Sequence, residues 1–169
     1  MLLRAIIIII LFSTKIYSSE IPVITITAPS KKPQSISTVG TSVTILDDKF
    51  LSNSTEHFLG DVLSTSSTSS NFFQSGGHGT ASAIQLRGMP KRYSTVYIDG
   101  VKMSDPSSVS GDFDFNNILT SQISRVEILK GNQSSIYGSG AIGGTIHIFT
   151  KKGKPGFNKD IGYVTGSHN

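Results

Sequence analysis

The chain has 169 residues, a length that fits one domain, and its 15 Lys and Arg against 11 Asp and Glu give a formal net charge of +4. Its 17 glycines and its low share of charged residues, 15%, favour strands and turns over long helices. The absence of cysteine excludes a disulfide framework, a thiolate zinc site and a cysteine nucleophile, and the scattered Lys and Arg favour no nucleic-acid partner.

Residues 1–18 have the order of features that is typical of a secretory signal peptide. Arg4 supplies a positive charge, an uninterrupted apolar run follows over residues 5–12, and small polar residues come at Ser18 and Ser19. We expect cleavage after Ser18, and the alternative is a buried core helix. No later stretch approaches the roughly 20 apolar residues of a membrane-spanning helix. The sequence therefore predicts an exported protein.

Residues 19–40 are predicted to form an extended, mobile arm. Prolines at positions 22, 29 and 33 prevent continuous ladder pairing, because proline has no backbone N–H. Between the first two prolines lies a run of strand-forming residues, Val23 to Thr27, which is unusual in a linker. An apolar extended segment of this kind can add to the sheet edge of another chain. The alternative is an ordinary edge strand of the domain.

Globular patterning begins with a predicted strand over residues 41–46, which two aspartates end. A helix is predicted next, capped by Asn53 or Ser54. Its apolar positions recur with helical spacing at Phe58, Leu59, Val62 and Leu63. The glycine-containing stretch 72–82 is predicted to be a flexible loop.

Two short strands, residues 83–87 and 95–98, are predicted to pair as an antiparallel hairpin. Antiparallel strands reverse direction, so the loops 72–82 and 101–114 should share one end of the domain. The hairpin turn, residues 89–94, should lie at the other end.

The rest of the chain predicts a short helix over residues 118–122 and strands over 125–129 and 145–150, on either side of a glycine-rich turn. Residues 153–169 are predicted to be a linker followed by the start of a further strand at 161–164. The irregular alternation of helices, strands and hairpins indicates the α+β class, and no repeat period is present.

No motif marks an enzyme or a metal site. The stretch Gly138 to Gly143 matches G-x-G-x-x-G, but a dinucleotide site needs a helix after this pattern, and here a strand follows. The four histidines are far apart and form no H-x-x-x-H pair. No trio of Ser, His and acid is marked by its local sequence. We therefore expect no catalytic residues, no metal and no cofactor.

Three motifs in fixed order carry a resemblance to a known family. They are Ile84-x-Leu86-Arg87-Gly88, then Val96-x-Ile98-Asp99-Gly100-Val101, then Arg125-Val126-Glu127-Ile128-Leu129-Lys130-Gly131 continuing through Tyr137-Gly138-Ser139-Gly140-Ala141-Ile142-Gly143-Gly144 to Ile146-x-Ile148-x-Thr150. Together they closely resemble the plug domain of TonB-dependent outer-membrane receptors, over roughly residues 35–152, and the loops are most similar to those of the cobalamin receptor. The chain departs from the family pattern at Lys130, Asn132 and His147, where Arg, Pro and Asn are usual.

The resemblance implies a small mixed-sheet plug domain over residues 41–152, with short helices and hairpins behind the flexible N-terminal arm. In this family the plug closes an outer-membrane barrel of about 22 strands. The energy-transducing protein TonB opens it, and a large, scarce nutrient enters. The resemblance therefore implies transport of cobalamin or a ferric siderophore, at the outer membrane, and no enzyme.

The apolar run in the arm resembles a TonB box, which the periplasmic domain of TonB binds by strand addition. The box residues that the resemblance implies are Pro22, Val23, Ile24, Thr25, Ile26, Thr27 and Ala28.

The two loops at the shared end are the candidate ligand contacts. Short polar side chains stand there beside glycines that let a bulky ligand approach the backbone, and the alternative is plain solvated loops. The candidate residues are Gln74, Gly76, Gly77, His78, Met103, Ser104, Asp105, Ser107 and Ser108.

Four charged residues in or beside strands otherwise fit for burial are the candidate contacts between plug and barrel. A charge removed from water must be paired, and the alternative is a solvated sheet face. These residues are Arg87, Arg125, Glu127 and Lys130.

No complete barrel follows the plug region in this sequence, since even the smallest outer-membrane barrel needs about 8 strands. We therefore expect the plug of a receptor present here without its barrel, and periplasmic if expressed that way. Two alternatives stay open: a stand-alone periplasmic binding module, and a non-functional fragment of an interrupted receptor gene.

Overall fold

A computed structural model describes residues 25–26, 32–66, 70–77, 79–115, 117–153, 155–157, 159, 161 and 163. The predicted signal peptide lies outside these residues. Of the predicted TonB box, only Thr25 and Ile26 fall inside them. Within this part of the chain, no helix has both the length and the apolar character needed to span a bilayer.

The chain forms short strands and helices that alternate irregularly, as predicted for the α+β class. The strands are β1 Thr25–Ile26, β2 Gln34–Ser35, β3 Ser42–Leu46, β4 Ser70–Gln74, β5 Ser82–Leu86, β6 Ser94–Ile98, β7 Val101–Met103, β8 Ile123–Lys130 and β9 Gly144–Thr150. The α-helices are α1 Asp48–Asn53, α2 Leu59–Ser66 and α3 Ser134–Tyr137. Turns of 3-10 helix occur at Ile36–Thr38, Lys91–Tyr93, Thr120–Gln122 and Ser139–Ala141.

A five-stranded mixed sheet organises the domain in the order β3-β8-β9-β6-β7. All neighbouring strands are antiparallel except β6 and β9, which run parallel from Ser94 opposite Gly144 to Ile98 opposite Ile148. Strands β4 and β5 form a separate antiparallel pair. This mixed sheet with few short helices confirms the predicted fold class.

One face of the sheet carries the hydrophobic core. Val126, Ile128, Ile146 and Ile148 alternate along β8 and β9 and are completely buried. Helix α2 packs against them with the apolar side chains that its spacing predicted, Leu59, Val62 and Leu63, all buried. Burial of such side chains is worth about 1.5–3 kcal/mol each, so this face supplies most of the stability.

Helix α1 is absent from the sequence prediction. Asp47 was expected only to end the preceding strand, and it does follow β3. Its Oδ1 also accepts a hydrogen bond from the backbone N of Phe50 at 2.8 Å, which caps a six-residue helix. The aspartate pair therefore marks both the end of a strand and the start of a helix.

The predicted hairpin between residues 83–87 and 95–98 is wrong. Strand β5 pairs with β4, and β6 pairs with β9 and β7. Strands β6 and β7 are joined by the two-residue turn Asp99-Gly100, with φ of 48° and 86°. An Asp-Gly pair between strand-forming residues is the usual signal for such a turn, and it was the missed clue.

The predicted flexible loop over residues 72–82 is wrong in its first part, because Ser70–Gln74 is strand β4. Its ordering comes from Phe72, which packs on Gly60 of α2 and lies edge-on to Phe115, with ring centroids 6.2 Å apart. The connection that remains between the two strands is 75–81.

The predicted strands near the C-terminal end are confirmed as β8 and β9. The short helix predicted over 118–122 is a 3-10 turn at Thr120–Gln122. Ile161 and Tyr163 lie in no strand, and residues 162 and 164 are outside the described part of the chain. In the arm, Thr25 pairs with Ser35 and Ile26 pairs with Gln34. This ladder is only two residues long, as expected for a segment between prolines.

Candidate functional site

The two loops predicted to contact ligand adjoin through Ser82. Its hydroxyl donates a hydrogen bond to Asp114 Oδ1 at 2.7 Å and accepts one from the backbone N of Phe115 at 2.9 Å. Ser82 follows the 75–81 connection, and Asp114 ends the polar loop after β7. We name the connections 75–81 and 104–114 the apex loops. The structure places them side by side, and their contact with a ligand stays a prediction.

The turn 89–94 is not at the opposite end from these loops, as the predicted hairpin required. Lys91 Nζ lies 2.6 Å from Asp112 Oδ2, which joins the turn to the second apex loop. The reason is the short strand β7, which reverses the chain directly after Gly100 and carries the loop back toward the start of β6. Strand β5 also ends there, since Leu86 N donates to Ser94 Oγ at 3.3 Å.

The second apex loop has its own internal hydrogen bonds. Asp105 Oδ1 accepts hydrogen bonds from Ser107 N at 2.8 Å and from Ser107 Oγ at 2.6 Å. These donors hold the pKa of the Asp105 carboxyl below its ordinary value, so the group is ionised at neutral pH. Ser104 is exposed, and Ser108 Oγ accepts a hydrogen bond from Ser110 N.

The first apex loop is organised around a carbonyl oxygen. Gln74 Nε2 donates to Gly77 O at 2.6 Å, and Thr80 Oγ1 donates to the same oxygen at 2.8 Å. Gly76 and Gly77 are exposed. Gln74 belongs to β4 and Met103 ends β7, so both lie at the bases of the loops. The candidate His78 falls outside the described residues.

Arg87 and Lys130 form a pair of neighbouring cations. Arg87 is exposed, whereas the Lys130 side chain is almost completely buried. Burial, followed by repulsion from Arg87, lowers the pKa of the Lys130 ammonium. Gly131, which has no side chain, allows the Arg87 guanidinium to lie close to the backbone next to Lys130. A Cβ on Gly131 would lie 3.0 Å from Arg87 Nη1. No carboxylate pairs with either cation within the described part of the chain.

Arg125 and Glu127 pair with each other on the second face of the sheet. Arg125 Nε lies 2.8 Å from Glu127 Oε1, and its guanidinium carbon lies 3.9 Å from the Phe149 ring centroid. Glu127 is completely buried. The prediction of Glu127 as a contact with another protein therefore conflicts with this structure, because its position on the central strand β8 encloses the carboxylate.

A cluster of aromatic rings covers the same face, and the sequence analysis missed it. His147 stacks on Tyr97 with ring centroids 4.8 Å apart, and Tyr137 of α3 lies 4.9 Å from both. Burial, and then the nearby Tyr97 and Glu127, raises the pKa of Tyr137 to about 12. Side chains alternate between the two faces along each strand, and the pairing of β6 with β9 places Tyr97 and His147 on one face. The alternation along each strand was the signal in the sequence for these residues.

The mixed sheet, the paired apex loops and the exposed Arg87 define a small α+β domain with a loop-bearing end. The description of the TonB-dependent receptor plug domain matches residues 35–145, and the chain belongs to this family. Members of the family are transport receptors of the outer membrane. The family match does not extend to the cobalamin receptor, so that narrower resemblance stays a prediction.

Solved receptor structures share the fold. The siderophore receptor PiuA from Acinetobacter baumannii is 24% identical with a TM-score of 0.57, and the match covers 79% of this chain and 18% of that one. A mutant of the ferric enterobactin receptor PfeA from Pseudomonas aeruginosa is 23% identical with a TM-score of 0.53, covering 69% and 18%. PfeA in complex with BCV-L6 is 25% identical with a TM-score of 0.53, covering 66% and 18%. The chain thus spans less than a fifth of these receptors.

Proposed function

We propose that this chain is the plug region of a TonB-dependent receptor that takes up a ferric siderophore. The observation that carries the proposal is the family match over residues 35–145, together with a fold shared with receptors that are named for siderophores. A ferric siderophore is favoured over cobalamin on this ground. The apex loops would contact the ligand, and a receptor barrel would surround the plug.

The arm would provide the connection to TonB. The predicted box, Pro22 to Ala28, has one proline followed by five consecutive β-branched residues, and it carries no charge. A partner strand can pair with its main chain, and tension on the arm can then be passed to the domain. The short pairing of Thr25–Ile26 with Gln34–Ser35 is compatible with this role, since two residues form only a marginal ladder.

Arg87 and Lys130 would face acidic side chains of the barrel. Two neighbouring cations without a carboxylate in the described residues repel each other, and the repulsion lowers the pKa of Lys130. A carboxylate from a barrel wall would relieve this repulsion and the cost of burying Lys130. Arg125 is engaged by Glu127 and contributes less to such a contact.

Binding of the periplasmic domain of TonB to the chain tests the arm. We expect measurable binding, and its loss in the variants Ile24→Pro and Ile26→Pro, because proline removes a main-chain donor. The matched control is Lys32→Pro, which lies in the arm outside the box and should bind as the parent does. If the two box variants bind like the parent, the box is assigned wrongly.

Chemical-shift mapping tests the ligand. A ferric siderophore added to the labelled chain should shift or broaden resonances in 75–81 and 104–114, and cobalamin should perturb them less. Affinity will be weak, because most of the ligand surface stays in water without barrel loops. Shifts confined to other parts of the domain, with none in either apex loop, would exclude the apex as the contact surface.

A further inference from the structure

Asp112 is a buried carboxylate with one counter-charge. Its side chain is 8% exposed, and its two oxygens accept no hydrogen bond from the described residues. The contact that compensates the charge is the ion pair with Lys91, at 2.6 Å. A buried carboxylate held in this way depends on its partner, because removing one member leaves an uncompensated charge in a medium of low dielectric constant.

Lys91 is placed differently from its partner. Its side chain is 52% exposed, so the ammonium can leave Asp112 and be hydrated without moving the backbone. Asp112 cannot do the same, since its backbone is tied into the apex loop, where Asp105 N donates to Asp112 O at 3.1 Å. When Lys91 leaves, the Asp112 carboxylate loses its counter-charge while the loop still holds it in place, and movement of the loop hydrates it further.

We propose that the Lys91–Asp112 ion pair is a latch between the second apex loop and the connection 87–93. While the pair is formed, the loop is held against the connection, and when it breaks, the loop opens to hydrate Asp112. A ligand that contacts 104–114 in a way that exposes Asp112 favours the open state. The proposal that ligand acts on this latch rests on the proposed function.

The connection gives the latch a route to the rest of the receptor. It runs from Arg87, the exposed cation at the predicted barrel surface, to Lys91, and its turns are held by Met89 N donating to Leu86 O and Tyr93 N donating to Pro90 O. A displacement of the second apex loop thus releases Lys91, which lies four residues along the chain from Arg87, the predicted contact with the barrel.

Hydrogen exchange in the isolated chain, without ligand or barrel, tests the latch. The reporters are three amides whose hydrogen bonds close the loop: Asp105, Ser108 and Gly111. In Lys91→Met, which keeps the length of the stem, we expect their exchange to rise at least about tenfold, with β8 and β9 unchanged. The matched control is Lys102→Met, an exposed lysine on β7, which should leave the three amides unchanged.

The double variant separates a latch from a merely structural contact. In Lys91→Met with Asp112→Asn the buried charge is gone, so exchange should return to within about threefold of the parent. If Lys91→Met does not fold, the double variant should. Exchange in Lys91→Met within twofold of the parent, a double variant as mobile as Lys91→Met, or a double variant that fails to fold would each overturn the latch. None of these outcomes depends on binding to TonB or a siderophore, so a failed latch is distinguishable from a failed function.

Discussion

Asp99 and Thr150 join the turn after β6 to the end of β9 by two hydrogen bonds. Asp99 Oδ1 accepts from Thr150 N at 3.0 Å, and Oδ2 accepts from Thr150 Oγ1 at 2.6 Å. These bonds hold the pKa of Asp99 below its ordinary value. The carboxylate joins the ends of the parallel strands β6 and β9 through two residues that lie 51 positions apart in the chain.

We expect Asp99→Asn to destabilise the domain by about 1 kcal/mol, because the charged acceptor is lost while asparagine keeps the left-handed turn. The lowered pKa makes this stabilisation present above the ordinary pKa of aspartate and lost as the pH falls through the lowered value. Denaturation in urea as a function of pH measures it. The difference between parent and variant should be constant near neutrality and disappear in acid.

The control for this prediction is Asp48→Asn, which removes an exposed carboxylate paired with Lys151 at 3.2 Å. Exposed pairs contribute about 0–1 kcal/mol, so its effect should be smaller. An Asp99→Asn variant that is as stable as the parent at neutral pH would show that the two hydrogen bonds contribute nothing.

Gly60 is required by the close packing of Phe72 on α2. A Cβ on Gly60 would lie 2.4 Å from Phe72 Cζ, in the interior of the contact that orders β4. We therefore expect Gly60→Ala to cost about 1–3 kcal/mol, although alanine favours helix. Thermal unfolding monitored by circular dichroism measures the loss.

Gly77→Ala is the matched control, because nothing lies within 4 Å of a Cβ there. It should change stability little. The variant Gly60→Ala with Phe72→Leu should recover part of the loss, since the shorter side chain makes room. A Gly60→Ala chain as stable as the parent would contradict the packing described for β4.

Tyr137 should titrate well above the ordinary pKa of tyrosine. Its pKa is raised to about 12 by burial and by the nearby Tyr97 and Glu127. Since the folded pKa exceeds the ordinary value, Tyr137 stabilises the fold fully below pH of about 10, and this contribution is lost as the pH rises toward 12. Phenolate absorbance during alkaline titration measures this pKa, and Tyr137→Phe should remove the titration step near pH 12.

Local patterns located several of the strands, because alternation is a property of one segment, and β8 and β9 were predicted in this way, whereas β4 and β7 lie in predicted loops. Pairing depends on distant segments. Strand β6 lies beside β9, and nothing between residues 94 and 98 indicates that choice. The same holds for Lys91 and Asp112, which were expected at opposite ends, and for the aromatic contact between Tyr97 and His147.

If the apex loops contact the ligand as proposed, their charge predicts which ferric complexes bind there. The loops 75–81 and 104–114 contain three aspartates, Asp105, Asp112 and Asp114, and no Lys or Arg in their sequence. Lys91 compensates Asp112, and the ionised carboxylate of Asp105 keeps the second apex loop acidic. A ferric tris-catecholate is trianionic, whereas a ferric tris-hydroxamate is neutral, and cationic when it carries an ammonium group. We therefore expect the apex loops to repel the first class and to favour the second.

Titration of the labelled chain with one complex of each class measures the preference. We expect the catecholate complex to bind roughly tenfold more weakly than the cationic hydroxamate complex, a difference of about 1.4 kcal/mol. The substitution Asp105→Asn removes a negative charge from the second apex loop and should reduce the difference in affinity between the two complexes. Added salt should reduce it too, because both changes weaken the repulsion between the loop and the trianionic complex. The control variant Asp48→Asn, on α1, should leave this difference in affinity unchanged. Tighter binding of the trianionic complex by the parent would show that main-chain or aromatic contacts, rather than the aspartates, set the specificity of this surface.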